Sequence, residues 1–192
     1  MAEQLTHNNV STRLVLGGHS FSGVYVERHG SVDARSEAIV ATAQTVLVPY
    51  ALFCQNEAAV IADAGLVIRD GECAVFSEPK DDIVAVMVIG CDMLDEARQR
   101  GCMSWTSPLL LDCPTERGTV LSLANGVLFV RIYDDGLQLA EAVEVQGESD
   151  VIYYLEQINA AYHIYNIGVC LQLGADQLKN VCKRLFKHVV CE

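Results

Sequence analysis

A chain of 192 residues, 51% of them apolar, is long enough to bury a substantial core as one domain or as two small packed lobes. Its 13 basic residues against 25 acidic ones give a formal charge of −12, and neither half offers a basic face, which argues against nucleic acid or an anionic membrane as partner. The first twelve residues are polar and carry no secretory signal, and the longest apolar run, 83–91, falls far below the roughly 18 residues that cross a bilayer, so a cytoplasmic protein without membrane insertion is expected.

Residues 1–11 are expected to be disordered. The chain then reads as a hairpin: Leu14-Val15-Leu16, a Gly17-Gly18-His19-Ser20 turn, and Val24 and Val26 alternating with Tyr25 and Glu27. After the polar turn Gly30-Ser31-Val32-Asp33 a third strand is expected over 36–42. Pro49 suits a first helical turn, and Asn56 can cap a segment that Gly65 ends. The continuous β-rich run 83–89 predicts a strand covered on both faces. Asp92 can cap a short helix over 93–100, with Gly101 just past its end. The layout then recurs: a strand over 119–123, an Ala124-Asn125-Gly126 turn, a strand over 127–133, the turn Asp134-Asp135-Gly136, and a third strand over 137–145. Asn-Gly is a strong hairpin signal because both turn positions need φ > 0. Asp150 can cap a helix whose stripe is Val151, Leu155, Ile158, Tyr162 and Tyr165. A strand over 169–173 and a last helix over 176–186, with Lys183, Arg184 and Lys187 opposing its dipole, complete the chain. The order, βββα then β/α, reads twice, which predicts an α/β fold of duplicated halves with mixed sheets flanked by helices.

Few constellations point to chemistry. Gly18-His19-Ser20-Phe21-Ser22-Gly23 is one residue from a hydrolase nucleophile elbow, but an elbow needs a helix after the serine and the residues here alternate as a strand. The eight cysteines include no Cys-x-x-Cys pair and read as buried, reduced thiols. Cys91, Cys102 and Cys113 are evenly spaced but fall at different element ends with no histidine between them, so no metal is expected. His163, between Tyr162 and Tyr165, reads as an ordinary helix residue. Asp81-Asp82 and Asp134-Asp135 read as solvated turns. With Tyr162 and Tyr165 on the core stripe, Tyr153 and Tyr154 remain as an exposed aromatic pair suited to a contact.

The twice-used order resembles the actin-like ATPase superfamily, in which each half opens on a hairpin whose Asp-x-Gly turn holds a phosphate and a magnesium-bound water. The corresponding triplets are Leu16-Gly17-Gly18 and Ala124-Asn125-Gly126: the glycines remain and both acids are replaced. The superfamily's apolar strand ending in paired glycines beside the adenosine is matched by Leu171-Gln172-Leu173-Gly174-Ala175. More narrowly, Val46-Leu47-Val48-Pro49 followed by Leu52-Phe53, the strand 83–89, Ser107-Pro108-Leu109-Leu110 and Asp150-Val151-Ile152-Tyr153-Tyr154-Leu155 resemble the bacterial domain of unknown function 3822. The resemblance spans nearly the whole chain. It implies an actin-like (ribonuclease H-like) fold with lobes over 12–117 and 118–192, and supplies no activity. It implies a cleft lined by Gly17, Gly18, His19, Ser20, Asn125, Gly126 and Gly174. Without the carboxylates no magnesium anchor or general base is in view, and no cofactor is expected. The leading expectation is a non-catalytic module that binds another protein or itself as a homodimer. The alternatives are a degenerate nucleotide-dependent phosphotransferase or ATPase using Ser20 or Asn125, and a small-ligand binder using the cleft.

Overall fold

The alternation around Asn125-Gly126 produces the meander it predicts. A computed structural model describes residues 10–12, 14–17, 28–30, 36–54, 65–113 and 115–191, with side chains from Glu37 onward. In chain order the strands are β1 (Val10–Thr12), β2 (Leu14–Gly17), β3 (Arg28–Gly30), β4 (Ser36–Ala41), β5 (Thr45–Pro49), β6 (Glu72–Phe76), β7 (Ile83–Gly90), β8 (Cys102–Thr106), β9 (Arg117–Ala124), β10 (Val127–Asp134), β11 (Leu137–Glu144), β12 (Gly168–Gln172) and β13 (His188–Cys191). The second half builds one sheet in the order β11-β10-β9-β12-β13. Its first three strands are antiparallel, and β12 and β13 then add in parallel beside β9. Asn125 and Gly126 close the β9–β10 turn at φ 52° and 72°, as a two-residue hairpin turn requires.

Helix Glu148–Tyr162 covers one face of this sheet. Glu148 and Asp150 lie in its first turn, where carboxylates suit the dipole, and Asp150 Oδ2 accepts the Gln146 amide at 2.8 Å instead of serving as the cap itself. Val151, Leu155 and Ile158 are buried against Leu121, Leu128, Val130, Val169 and Leu171, each worth roughly 1.5–3 kcal/mol over an exposed position. The helix ends where His163 enters the left-handed region at φ 53°, so His163 is its terminator and not one of its turns. Tyr162, expected on the buried stripe, is exposed. Asp176 falls in the 3₁₀ helix Ala175–Leu178, and the α-helix proper is Lys179–Leu185.

The first half differs from its expected plan. Ser36–Ala41 is a strand but not the third strand of a meander: it pairs in parallel with Leu14–Gly17 on one side and with β8 on the other. The physical reason lies in its composition. Ala38 and Val40 face one apolar cluster, Ile39 and Ala41 another, and a strand buried on both faces suits a parallel position. Of the two expected βββα-β/α halves, the complete order is therefore described only in the second. Residues 18–27 and 31–35, where the rest of the first hairpin was expected, lie outside the described residues, as does the helix expected after Asn56 up to residue 64; of the N-terminal stretch expected to be disordered, Val10 and Ser11 belong to β1. A separate antiparallel sheet, β5-β7-β6, is inserted between β4 and β8. Its central strand β7 is buried on both faces, as its sequence predicts, and helix Cys91–Gln99 follows with Asp92 inside its first turn.

Candidate functional site

The sheets of the two halves meet along an apolar seam. On one side stand Ile39, Ala41 and Leu109; on the other stand Val127 and Phe129, all at most 5% exposed. Ala124 and Leu173 pack against the same cluster. This seam brings several of the expected cleft residues to one end. Leu123 N donates to Leu173 O at 2.9 Å, which sets Gly174 against the strand leading into Asn125-Gly126. Gly174 has φ +75°, and a Cβ there would lie 2.4 Å from Leu123 O, so both its conformation and its neighbour demand glycine. Val145 N donates to Gly126 O at 2.8 Å, tying the turn to the end of the meander. Gly17 closes β2 in register with Ala41, and Ala41 packs in the seam. Gly18, His19 and Ser20 lie outside the described residues. Asn125, Gly126 and Gly174 offer backbone and one amide but no ionisable group. Among the described residues no cluster of three or more His, Cys, Asp or Glu side chains is placed to hold a metal ion.

The other end of the seam holds a polar construction centred on Arg131, which was not among the expected site residues. Arg131 shares its face of β10 with Val127 and Phe129 and is 1% exposed. Its Nη1 donates to Leu111 O and, at 3.3 Å, to the Tyr133 hydroxyl; its Nη2 donates to Gln172 Oε1. Gln172 Nε2 in turn donates to Asp112 O at 3.2 Å. From the connection between β6 and β7, Lys80 Nζ donates to Leu110 O and pairs with Asp112 Oδ1, each at 2.7 Å. The crossing segment 108–113, begun by a 3₁₀ helix that Ser107 caps through the Leu109 amide at 3.1 Å, is thereby fastened from both sides. Burial raises the Tyr133 phenol above its ordinary range while the Arg131 charge acts to lower it. The guanidinium lies 5.9 Å from the Tyr133 ring centroid. A signal for this buried arginine did exist. Residues 127–133 are apolar on both strand faces, so a cation at 131 has no solvent side to reach.

Beside this strap lies a cavity of about 570 Å³ walled by Ile83, Leu110, Leu137 and Tyr133. A second concavity of about 490 Å³ shares Cys113, Tyr133 and Gly136 with it. From Val127 to Tyr133 the strand runs roughly 20 Å, so this cavity is remote from the glycine-rich end. On helix Glu148–Tyr162, Tyr153 is 61% exposed, whereas Tyr154 is half-buried against the core with its ring centroid 5.7 Å from that of Tyr153. The expected exposed pair is thus one exposed ring and one packing ring.

No family model matches the chain, and no curated protein matches it. Among solved structures, the chain is similar to a Bacteroides thetaiotaomicron protein with actin-like ATPase fold and unknown function, at 17% identity and a TM-score of 0.63, over 82% of this chain and 68% of that one. It is also similar, at 10% identity and a TM-score of 0.49, over 96% of this chain and 90% of that one, to the cytoplasmic domain of EpsL, an inner membrane component of the type II secretion system of Vibrio cholerae. The second likeness is too loose to carry an argument. The first extends to the fold and no further: the chain has an actin-like ATPase fold.

Proposed function

We propose that this chain is a non-catalytic module of actin-like fold that binds another protein, with lobes over 12–117 and 118–192 and an affiliation to the domain of unknown function 3822. The observation that carries the reading is Ala124. Where the superfamily's second turn would present a magnesium-anchoring acid, this chain has a methyl group packed into the apolar seam with Val127, Phe129 and Ala41. A methyl group has no lone pair with which to hold a metal ion or take a proton from a nucleophile. Fold alone does not supply a function, so the reading rests on that site and on the exposed Tyr153, a residue type favoured at protein contacts.

Titration calorimetry with ATP and magnesium, together with a phosphate-release assay, tests the first half of the proposal. Micromolar binding that requires magnesium, or hydrolysis above a buffer blank, would overturn it in favour of a degenerate phosphotransferase using Asn125. Binding of ATP without magnesium would instead favour a small-ligand binder in the glycine-lined cleft. For the second half, Tyr153→Ala should leave the melting curve within about 0.5 kcal/mol of the parent, as for an ordinary surface change, and should weaken association seen by light scattering if the partner is a second copy.

A further inference from the structure

We infer that the cavity beside the strap, together with the adjacent concavity that shares Cys113, Tyr133 and Gly136, is the groove in which the protein partner lays an extended segment carrying basic side chains between apolar ones; this rests on the protein-binding reading above. Three observations converge on that occupant. The walls are apolar, with Ile83, Leu110, Leu137 and the Tyr133 ring. The rim is acidic: Asp81 and Asp112 border the cavity, Glu116 and Asp135 its neighbour, and among the described residues Lys80 is the one cation lining either. Lys80 is already engaged by Asp112 and Leu110 O. Among the described residues no cation pairs with Asp81, Glu116 or Asp135, so an incoming positive charge meets acids with no ion-pair partner of their own.

The shape selects further. Two adjacent concavities of about 570 and 490 Å³, with three lining residues in common, suit a length of chain more than one compact amine. Arginine and lysine match such a place because an apolar stem lies along the wall while the charged head stays at the wet rim. Low-dielectric walls strengthen the attraction between head and rim relative to a flat surface. A phosphate-bearing ligand is repelled by the same rim. The groove is also preformed, since segment 108–113 is fastened by Lys80 on one side and by Arg131 and Gln172 on the other. Little ordering then opposes binding.

The probe is a short labelled peptide alternating leucine and arginine, followed by fluorescence anisotropy. It should bind the parent chain, and a counterpart with citrulline in place of arginine should bind roughly tenfold more weakly or worse. Asp81→Asn, Glu116→Gln and Asp135→Asn together should weaken the arginine peptide by a similar factor. Asparagine keeps the left-handed backbone that Asp81 and Asp135 adopt at φ 50° and 52°. Removing the same charge elsewhere, with Glu141→Gln, Glu144→Gln and Asp176→Asn, should change affinity by less than about twofold, because those acids line neither concavity and solvent screens exposed charges that are not in contact. Filling the cavity with Leu137→Trp should abolish binding with the fold intact by circular dichroism. No binding by the parent, an equal effect of the two charge-removal sets, or equal binding of arginine amide alone would each overturn the groove. The broader reading is scored apart from it, by co-purification from cells that make the protein. A partner retained equally by the parent and the groove triple variant refutes the groove and leaves protein binding standing, while magnesium-dependent ATP binding refutes the broader reading whatever the peptide does.

Discussion

Replacing Arg131 with methionine removes a buried cation whose described partners are all neutral: a carbonyl, an amide oxygen and a phenol. Methionine keeps much of the volume, so the effect is one of hydrogen bonds more than of a cavity. Each bond made by a charged donor contributes about 1.5–3 kcal/mol, and an acceptor left buried without a donor costs about 1–3 kcal/mol. Against these stands the relief of holding a guanidinium out of water, itself several kcal/mol. The net expected loss is about 2–4 kcal/mol, read as a lower urea midpoint at unchanged slope. Arg131→Lys should recover little, because an ammonium on a flexible stem cannot fork between Leu111 O and Gln172 Oε1. A second readout separates this from general damage. Arg131 lowers the Tyr133 ionisation against the pull of burial, so phenolate absorbance in the methionine variant should show one tyrosine titrating at still higher pH. A variant within about 0.5 kcal/mol of the parent, the range of an indifferent surface change, would refute the claim that this arginine fastens the crossing segment.

Gly174→Ala should cost about 2–4 kcal/mol, from a left-handed backbone plus a clash with Leu123 O, whereas Gly71→Ala, with φ +84° but open space around it, should cost only about 1 kcal/mol in the same urea melts. Equal costs would mean that the Leu123 contact is not tight. Brief alkylation followed by mass spectrometry should label exposed Cys54 first and the buried Cys102, Cys170 and Cys182 last; labelling of Cys182 at the rate of Cys54 would contradict the core assignment. Burial first, then the Cys191 charge, pushes the Cys182 thiol up to about 12 from 9.0, and burial with the Glu156 charge pushes Tyr165 up to about 12 from 10.0. Both folded values lie above the unfolded ones, so their stabilisation is whole below pH 9 and is lost as pH rises from there towards 12. Tyr165→Phe should flatten the part of that decline above pH 10 in pH-dependent unfolding, and an unchanged limb would remove Tyr165 from the account.

Much of the second half was legible because its signals are local. Asn125-Gly126 sets a turn type, the flanking residues alternate, and the stripe Val151, Leu155, Ile158 marks one helix face. Ser36–Ala41 was legible as a strand but not in its pairing, since alternation does not reveal the direction of a neighbour. Its unbroken Ala-Ile-Val-Ala run, apolar on both faces, was the signal for a parallel position. The short strands β5, β6, β8 and β13 went unforeseen because runs of four or five residues carry little periodicity unless glycines mark their ends, as they do at β2 and β12. The cavity was invisible for a different reason. Its walls come from segments near residues 80–83, 108–113 and 133–137, each of which alone reads as a polar turn or a connecting stretch. Asp81-Asp82 is indeed a turn, yet it also supplies part of the rim.

The insertion of β5, β6 and β7 between β4 and β8 has a consequence for how the chain acquires its structure. In the second half each strand of the meander meets its partner across a tight turn, so pairing there closes short loops. In the first half β8 can add beside β4 only after the whole stretch from Thr45 to Gln99 has been gathered between them. Loop-closure entropy makes such distant pairings slow and local ones fast. The later half of the chain is therefore the natural nucleus. The earlier half, with the strand Ser36–Ala41 wanting cover on both faces, waits for β8 on one edge and for Val127 and Phe129 across the seam. Until they arrive, its apolar faces are the surface most in need of protection from other chains.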